Sequence, residues 1–320
     1  MSKSIILIGC GNLGKRYLQA IAPIKEEYRI FIFDIYKQAL ESTKEFILTN
    51  NLILKGLSVI DDFDMLLNNI NDDSIVIHCA TAKDRITSLE AILKKAPNIL
   101  FIEKPVTQTQ EEFEKLILQS KRVSTKIFVH YALRFQPFCK HLKNILETET
   151  NFQFISSLPK MGLVCVGIHQ IDLFKWLFNI DEYDFVNSNY FGTYEQKRIG
   201  FYDVFGDIQL KTPGNGYATF SNLDVDNSRT IYINTENYIY SIQEDLKTFT
   251  IVSKNKKGEI EQVKLDVVFA SSYLTDVFRS FLNDNYSDNE ELVSLEESYF
   301  SHKIIFDYLQ KHSIADLNIT

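Results

Sequence analysis

Cysteine is scarce in this sequence: Cys10, Cys79, Cys139 and Cys165 are the only four in 320 residues, and no two form a C-x-x-C pair. That excludes a disulfide framework and points to reduced thiols and a cytoplasmic protein. No apolar run approaches the roughly 20 residues that cross a bilayer. The short apolar stretch at the start gives way to glycines after Ile8, so it reads as a first strand rather than a secretion signal. Basic residues are not in excess either. Lys and Arg number 34 against 42 Asp and Glu, a net charge of −8, which argues against a broad nucleic-acid surface. Internal repeats, low-complexity segments and long linkers are absent. What is present is average globular composition, 45% hydrophobic and 24% charged, over a length that suits two domains.

Short β-branched runs alternate with helical patterns through the first 130 or so residues. Strands are expected at Ser4–Ile8, Arg29–Phe33, Leu57–Ile60, Ser74–Ala80, Ile99–Ile102 and Lys126–Tyr131. Asp84 is placed to cap the helix that follows the fourth strand, and Thr109 with Glu112 has capping-box spacing. Such alternation implies right-handed crossovers and a doubly wound, Rossmann-type parallel sheet, an α/β domain over residues 1–133. Beyond Arg134 the pattern changes. Helices near Phe138–Glu147 and His169–Phe178 flank a strand near Phe152–Ser156. Tyr, Phe, Ile and Thr-rich runs then extend from Phe185 to Val268, broken at Pro213–Gly216, Asp226-Asn227 and Lys257-Gly258. These read as hairpins of an open, mostly antiparallel sheet, and helices near Ser272–Asn283 and Leu295–Lys311 close the chain. Residues 134–320 are therefore expected to form an α+β domain for substrate binding and oligomerisation.

Gly9-Cys10-Gly11-Asn12-Leu13-Gly14 is a G-x-G-x-x-G between a strand and a helix. Its first glycine makes the tight turn, its second lets main chain approach a pyrophosphate, and its third allows close helix–strand packing. Asp34 ends the second strand 20 residues after Gly14. A carboxylate there suits the ribose hydroxyls of NAD and repels a 2′-phosphate, which predicts NAD over NADP. Lys104, in Glu103-Lys104-Pro105 after the fifth strand, stands at the sheet edge where doubly wound folds bind ligands. It can exchange a carbinol proton while hydride moves, provided desolvation or a neighbouring cation eases its deprotonation. Cys165, His169 and Asp172 share one face if that stretch is helical. As a zinc set they are one ligand short, so no metal is expected.

The order G-C-G-N-L-G, E-K-P, Tyr131-Ala132-Leu133-Arg134-Phe135 and His169-Gln170-Ile171-Asp172 resembles the Gfo/Idh/MocA oxidoreductases over nearly the whole chain. The resemblance implies Lys104 as catalytic lysine, a Pro105 that is often cis, and His169 as second catalytic or substrate-binding group. It also implies Thr81 and the Glu103–Pro105 turn near cofactor, with Arg134, Cys165 and Asp172 on the substrate side. A C-terminal sheet joining a homodimer or homotetramer is implied as well. One departure stands out: many members carry Asp where this chain has Cys165. The surrounding segment is similar to a subgroup linked to surface-sugar and nonulosonic acid metabolism.

The expected function is NAD(H)-dependent hydride transfer to or from a hydroxyl or keto carbon of a sugar or sugar derivative. Lys104 would act as acid/base and His169 would orient the reacting oxygen. Two alternatives remain at this level: a catalytically silent nucleotide-binding sensor or regulatory subunit, and a reductase of a non-sugar ring.

Overall fold

The computed structural model describes residues 3–225, 228–244, 248–314 and 318–319. The chain divides into two compact units, Met1–His130 with Phe269–Glu297, and Tyr131–Val268 with Ser298–Thr320. A C-terminal segment, Phe269–Glu297, thus returns to the first unit.

The first unit begins with β1 (Lys3–Ile8), α1 (Asn12–Ile21), β2 (Tyr28–Phe33), α2 (Lys37–Thr49), β3 (Ser58–Ile60) and α3 (Phe63–Leu67). It continues through β4 (Ser74–His78), α4 (Arg85–Leu93), β5 (Ile99–Glu103), α5 (Gln110–Ser120) and β6 (Lys126–His130). Strands β1, β4 and β5 are buried almost throughout, as apolar runs without alternation require of a sheet covered on both faces. The sheet runs β6-β5-β4-β1-β2-β3 with every one of these pairs parallel, so strand order reverses between β1 and β4. The Thr109 hydroxyl accepts the Glu112 N–H at 3.2 Å, while the Glu112 carboxylate takes the Gln108 N–H instead of completing the box. Asp84 occupies the N-cap of α4, in a left-handed conformation and without a side-chain cap bond.

In the second unit, α6 (Pro137–Leu146), β7 (Phe152–Pro159) and α7 (Gly167–Phe178) precede β8 (Asp184–Glu195), β9 (Tyr202–Lys211) and β10 (Tyr217–Leu223). Next come β11 (Arg229–Thr235), β12 (Tyr238–Glu244), β13 (Thr248–Asn255) and β14 (Ile260–Asp266). The eight strands form one sheet in the order β14-β13-β12-β11-β7-β10-β9-β8, antiparallel except where β10 lies parallel to β7. One face buries Phe154, Ile208, Phe220, Ile233 and Ile242, and alternate residues such as Ile155, Thr219 and Tyr232 are half-buried. The ring cluster of Phe152, Phe154, Phe174, Phe178 and Phe220 accounts for much of the aromatic richness as core. The break expected at Asp226-Asn227 lies outside the described residues.

The returning segment carries α8 (Ala270–Leu282) and β15 (Val293–Ser294), after which α9 (Leu295–Lys311) begins. Two contacts explain its return. Thr275 donates to the Ala20 carbonyl at 2.7 Å, and Phe278 packs against Tyr17 and Phe101. β15 then adds to β6 as an antiparallel edge strand.

Candidate functional site

Because β1, β2, β4 and β5 are parallel, the residues that follow them emerge at one edge of the sheet. Those residues are Gly9, Asp34, Cys79 to Thr81, and Lys104. Gly9 takes a φ of +101°, a region that favours glycine, and its N–H donates to the Phe33 carbonyl at 2.9 Å. A Cβ on Gly14 would run into the Gly9 carbonyl oxygen, so the third glycine is what lets α1 approach the turn. At Gly11 the same test meets nothing within 4 Å. Gly11, Asn12 and Leu13 are exposed, α1 has no side-chain N-cap bond, and no acidic residue sits in its first turn. Exposed amides at a helix start, with open space where a Cβ would stand, fit a dinucleotide pyrophosphate.

Asp34 holds main chain rather than presenting a bare carboxylate. One oxygen accepts the Cys10 N–H at 2.7 Å and the other the Tyr36 N–H at 2.9 Å. Burial, helped by Asp34, pushes the Cys10 thiol up to about 12. Cys79, also raised by burial, donates to the Gly9 carbonyl at 3.0 Å. Both thiols stay protonated near neutral pH and serve packing.

Lys104 is half-buried and followed by a cis Pro105. The side chain of Glu103 points inward: its carboxylate accepts from the Tyr17 hydroxyl and lies 2.6 Å from His130 Nδ1. His130 Nε2 in turn lies 2.8 Å from the Tyr273 hydroxyl. Burial alone would raise the Glu103 pKa. His130, Lys104 and the Tyr17 hydrogen bond outweigh it and hold the group below the usual carboxylate range. Among the cofactor-side residues, then, Glu103 contributes its backbone and a buried anchor. Sequence reading missed Arg85, a buried guanidinium between this turn and the loop carrying Thr81.

In the second unit, His169 stands half-buried in the first turn of α7, its ring edge-on to Tyr131 at 5.7 Å. The loop before it is shaped by Asp203, also missed from sequence. Its buried carboxylate accepts the N–H groups of Val164, Cys165 and Val204 at 2.9, 2.8 and 2.7 Å. Gly162, at φ +93°, passes so close to that carboxylate that any Cβ would overlap it. Arg134 and Asp172 face each other in the interior, both 1% exposed, and their burial assigns them to the framework of this unit. No local pattern marks Arg85 or Asp203, because the backbone groups that explain their burial lie mostly on other segments, the end of β5 and the turn after it for Arg85 and the loop before α7 for Asp203.

Residues 3–131 match the model of the oxidoreductase family with an NAD-binding Rossmann fold, Gfo/Idh/MocA. No curated protein sequence matches the chain. Among solved structures, KijD10, a 3-ketoreductase from Actinomadura kijaniata in complex with NADP, superposes with a TM-score of 0.72 at 15% identity. The match covers 94% of this chain and 95% of that one. An oxidoreductase from Desulfitobacterium hafniense, described as NADPH-dependent, gives 0.74 at 13% identity over 98% and 96%. UDP-N-acetylglucosamine 3-dehydrogenase GnnA from Acidithiobacillus ferrooxidans gives 0.70 at 16% identity over 98% of each chain. At such identities the likeness establishes fold.

These matches correct one expectation. NAD with NADP as a minority does not hold, since the first of these proteins carries NADP and the second is named for NADPH. The physical reason lies in Asp34, whose two oxygens already receive N–H groups, so repulsion of a 2′-phosphate was overstated. Among the described residues no helix is long and apolar enough to cross a membrane.

Proposed function

We propose, on the match of residues 3–131 to the Gfo/Idh/MocA oxidoreductase family with its NAD-binding Rossmann fold, that the chain interconverts a hydroxyl and a keto carbon on a sugar or nucleotide-linked sugar, with NADP(H) as a competent dinucleotide. The observation that carries the reading is the open glycine start of α1, on the same sheet edge as the Lys104 turn. The N–H groups of Gly11, Asn12 and Leu13 would hold the pyrophosphate, and Thr81 and the Lys104-Pro105 turn would line the other half of the dinucleotide. When bound, the nicotinamide supplies hydride acceptance or delivery. Lys104 Nζ takes the carbinol proton in oxidation and returns it in reduction. His169 orients the reacting oxygen, and Cys165, four residues before it in the chain, keeps a packing role. The sugar reading is supported by KijD10 and GnnA, a 3-ketoreductase and a nucleotide-sugar 3-dehydrogenase of the same fold.

The test is NADPH and NADH titration followed by a turnover screen over nucleotide-linked hexoses, their 3-keto derivatives, polyols and nonulosonic acids. Saturable NADPH binding with turnover of at least one sugar class is expected. Binding without turnover across the panel would favour a silent nucleotide-binding role.

A further inference from the structure

We propose that Arg85 is a positioning residue, a clamp holding the Ala80–Thr81 loop and the Lys104–Val106 loop in one register for the nicotinamide half of the dinucleotide. The proposal rests on the dinucleotide reading and adds a residue that no motif assigns.

Arg85 opens α4 and is 4% exposed, yet every hydrogen-bond acceptor of its guanidinium is a main-chain carbonyl. Nη1 donates to the carbonyl of Glu103, the last residue of β5, and to those of Pro105 (2.6 Å) and Val106 (3.4 Å) on the loop that follows. Nη2 donates to Ala80, on the loop after β4. The side chain therefore bridges two neighbouring strand ends. Burial lowers its pKa to about 10, against the opposing pull of Glu103. A desolvated cation is costly where an apolar side chain would pack well, and such groups are best explained by the specific geometry they impose. A planar fork offers donors on two separate nitrogens in a fixed geometry, so it fixes the spacing of carbonyls on two loops, whereas the three donors of a lysine ammonium radiate from one nitrogen on a flexible stem.

The strand order gives the clamp a direction. Strand order reverses between β1 and β4, and a dinucleotide crosses the sheet edge at that reversal. The Gly9–Gly14 turn and Asp34 lie on the adenosine side, after β1 and β2. The two clamped loops follow β4 and β5, on the nicotinamide side. Loss of the clamp should thus weaken one half of the ligand and spare the other.

The experiment compares wild type, R85K and R85Q by fluorescence titration with NADPH and by calorimetric titration with 2′,5′-ADP, which carries only the adenosine half. The second variant keeps a planar amide donor should the first fold poorly, and thermal melts confirm folding. The expected result is NADPH binding weaker by about tenfold or more in both variants, with 2′,5′-ADP affinity within about twofold of wild type. Unchanged NADPH affinity, or equal weakening of both ligands, would overturn the clamp while leaving the dinucleotide reading intact. Wild type that binds neither ligand would overturn that reading, and the clamp with it.

Discussion

The Arg134 guanidinium meets the Asp172 carboxylate through two hydrogen bonds of 2.8 Å each, from Nε and Nη2, with both side chains 1% exposed. Arg134 also stacks over Trp176, its guanidinium carbon 5.5 Å from the ring centre. A pair so placed is self-neutralising, and removing one partner strands a charge in the interior of the second unit.

The first prediction follows from that pair. D172N or R134M should lower unfolding stability by about 3–5 kcal/mol, whereas the apolar double variant R134M/D172L should recover at least half of the loss. Urea melts of the three proteins measure this. Additive losses in the double variant would contradict it.

Two glycines of one turn should fail in different ways. G14A forces a methyl group against the Gly9 carbonyl and should cost about 1–3 kcal/mol of stability. G11A meets no protein atom within 4 Å, so its melting temperature should stay near wild type while NADPH binding weakens by about tenfold or more. Calorimetric melts and NADPH fluorescence separate the two effects.

Lys104 carries the proton step in the proposed reaction. K104M should lower turnover by about 10²–10⁴ while NADPH affinity changes by no more than about threefold. Turnover within a small factor of wild type would mean the proton is handled by another group.

The pH dependence of stability should bear the mark of His78. This ring is buried in β4 with Nε2 2.7 Å from the Ser88 hydroxyl. Burial, and secondarily Arg85, holds its pKa well below the ordinary 6.5. The unfolded chain takes up a proton near pH 6.5 that the folded protein refuses. Stability from this group is therefore full above that pH and falls below it, by ~1.4 kcal/mol at about pH 5.5. Urea melts across this range check the slope, and H78Q should flatten it.

Much of the first unit was legible because its signals are local. Uninterrupted apolar runs specify strands covered on both faces, and the spacing of Gly9, Gly11 and Gly14 specifies a turn that φ and close packing then demand. The Tyr-, Phe-, Ile- and Thr-rich runs beyond Phe185, with their turn breaks, likewise announced antiparallel strands and hairpins. Lys104 and His169 stood out because a strand end and a helix start can be located from neighbouring residues alone.

Tertiary structure decided the rest, because those choices depend on partners far apart in the chain. No periodicity tells that Thr275 will meet the Ala20 carbonyl, so the return of Phe269–Glu297 to the first unit was invisible. The sequence placed Asp34 at the end of β2, but only the fold shows that its two oxygens each accept a main-chain N–H, from Cys10 and Tyr36. Arg85 and Asp203 draw no reading from the sequence, and the family resemblance assigns Arg134 and Asp172 to the substrate side. Burial decides what they do: a charge withdrawn from water must find its hydrogen bonds inside, and only the folded chain determines which carbonyls, amides or countercharges are there to meet it.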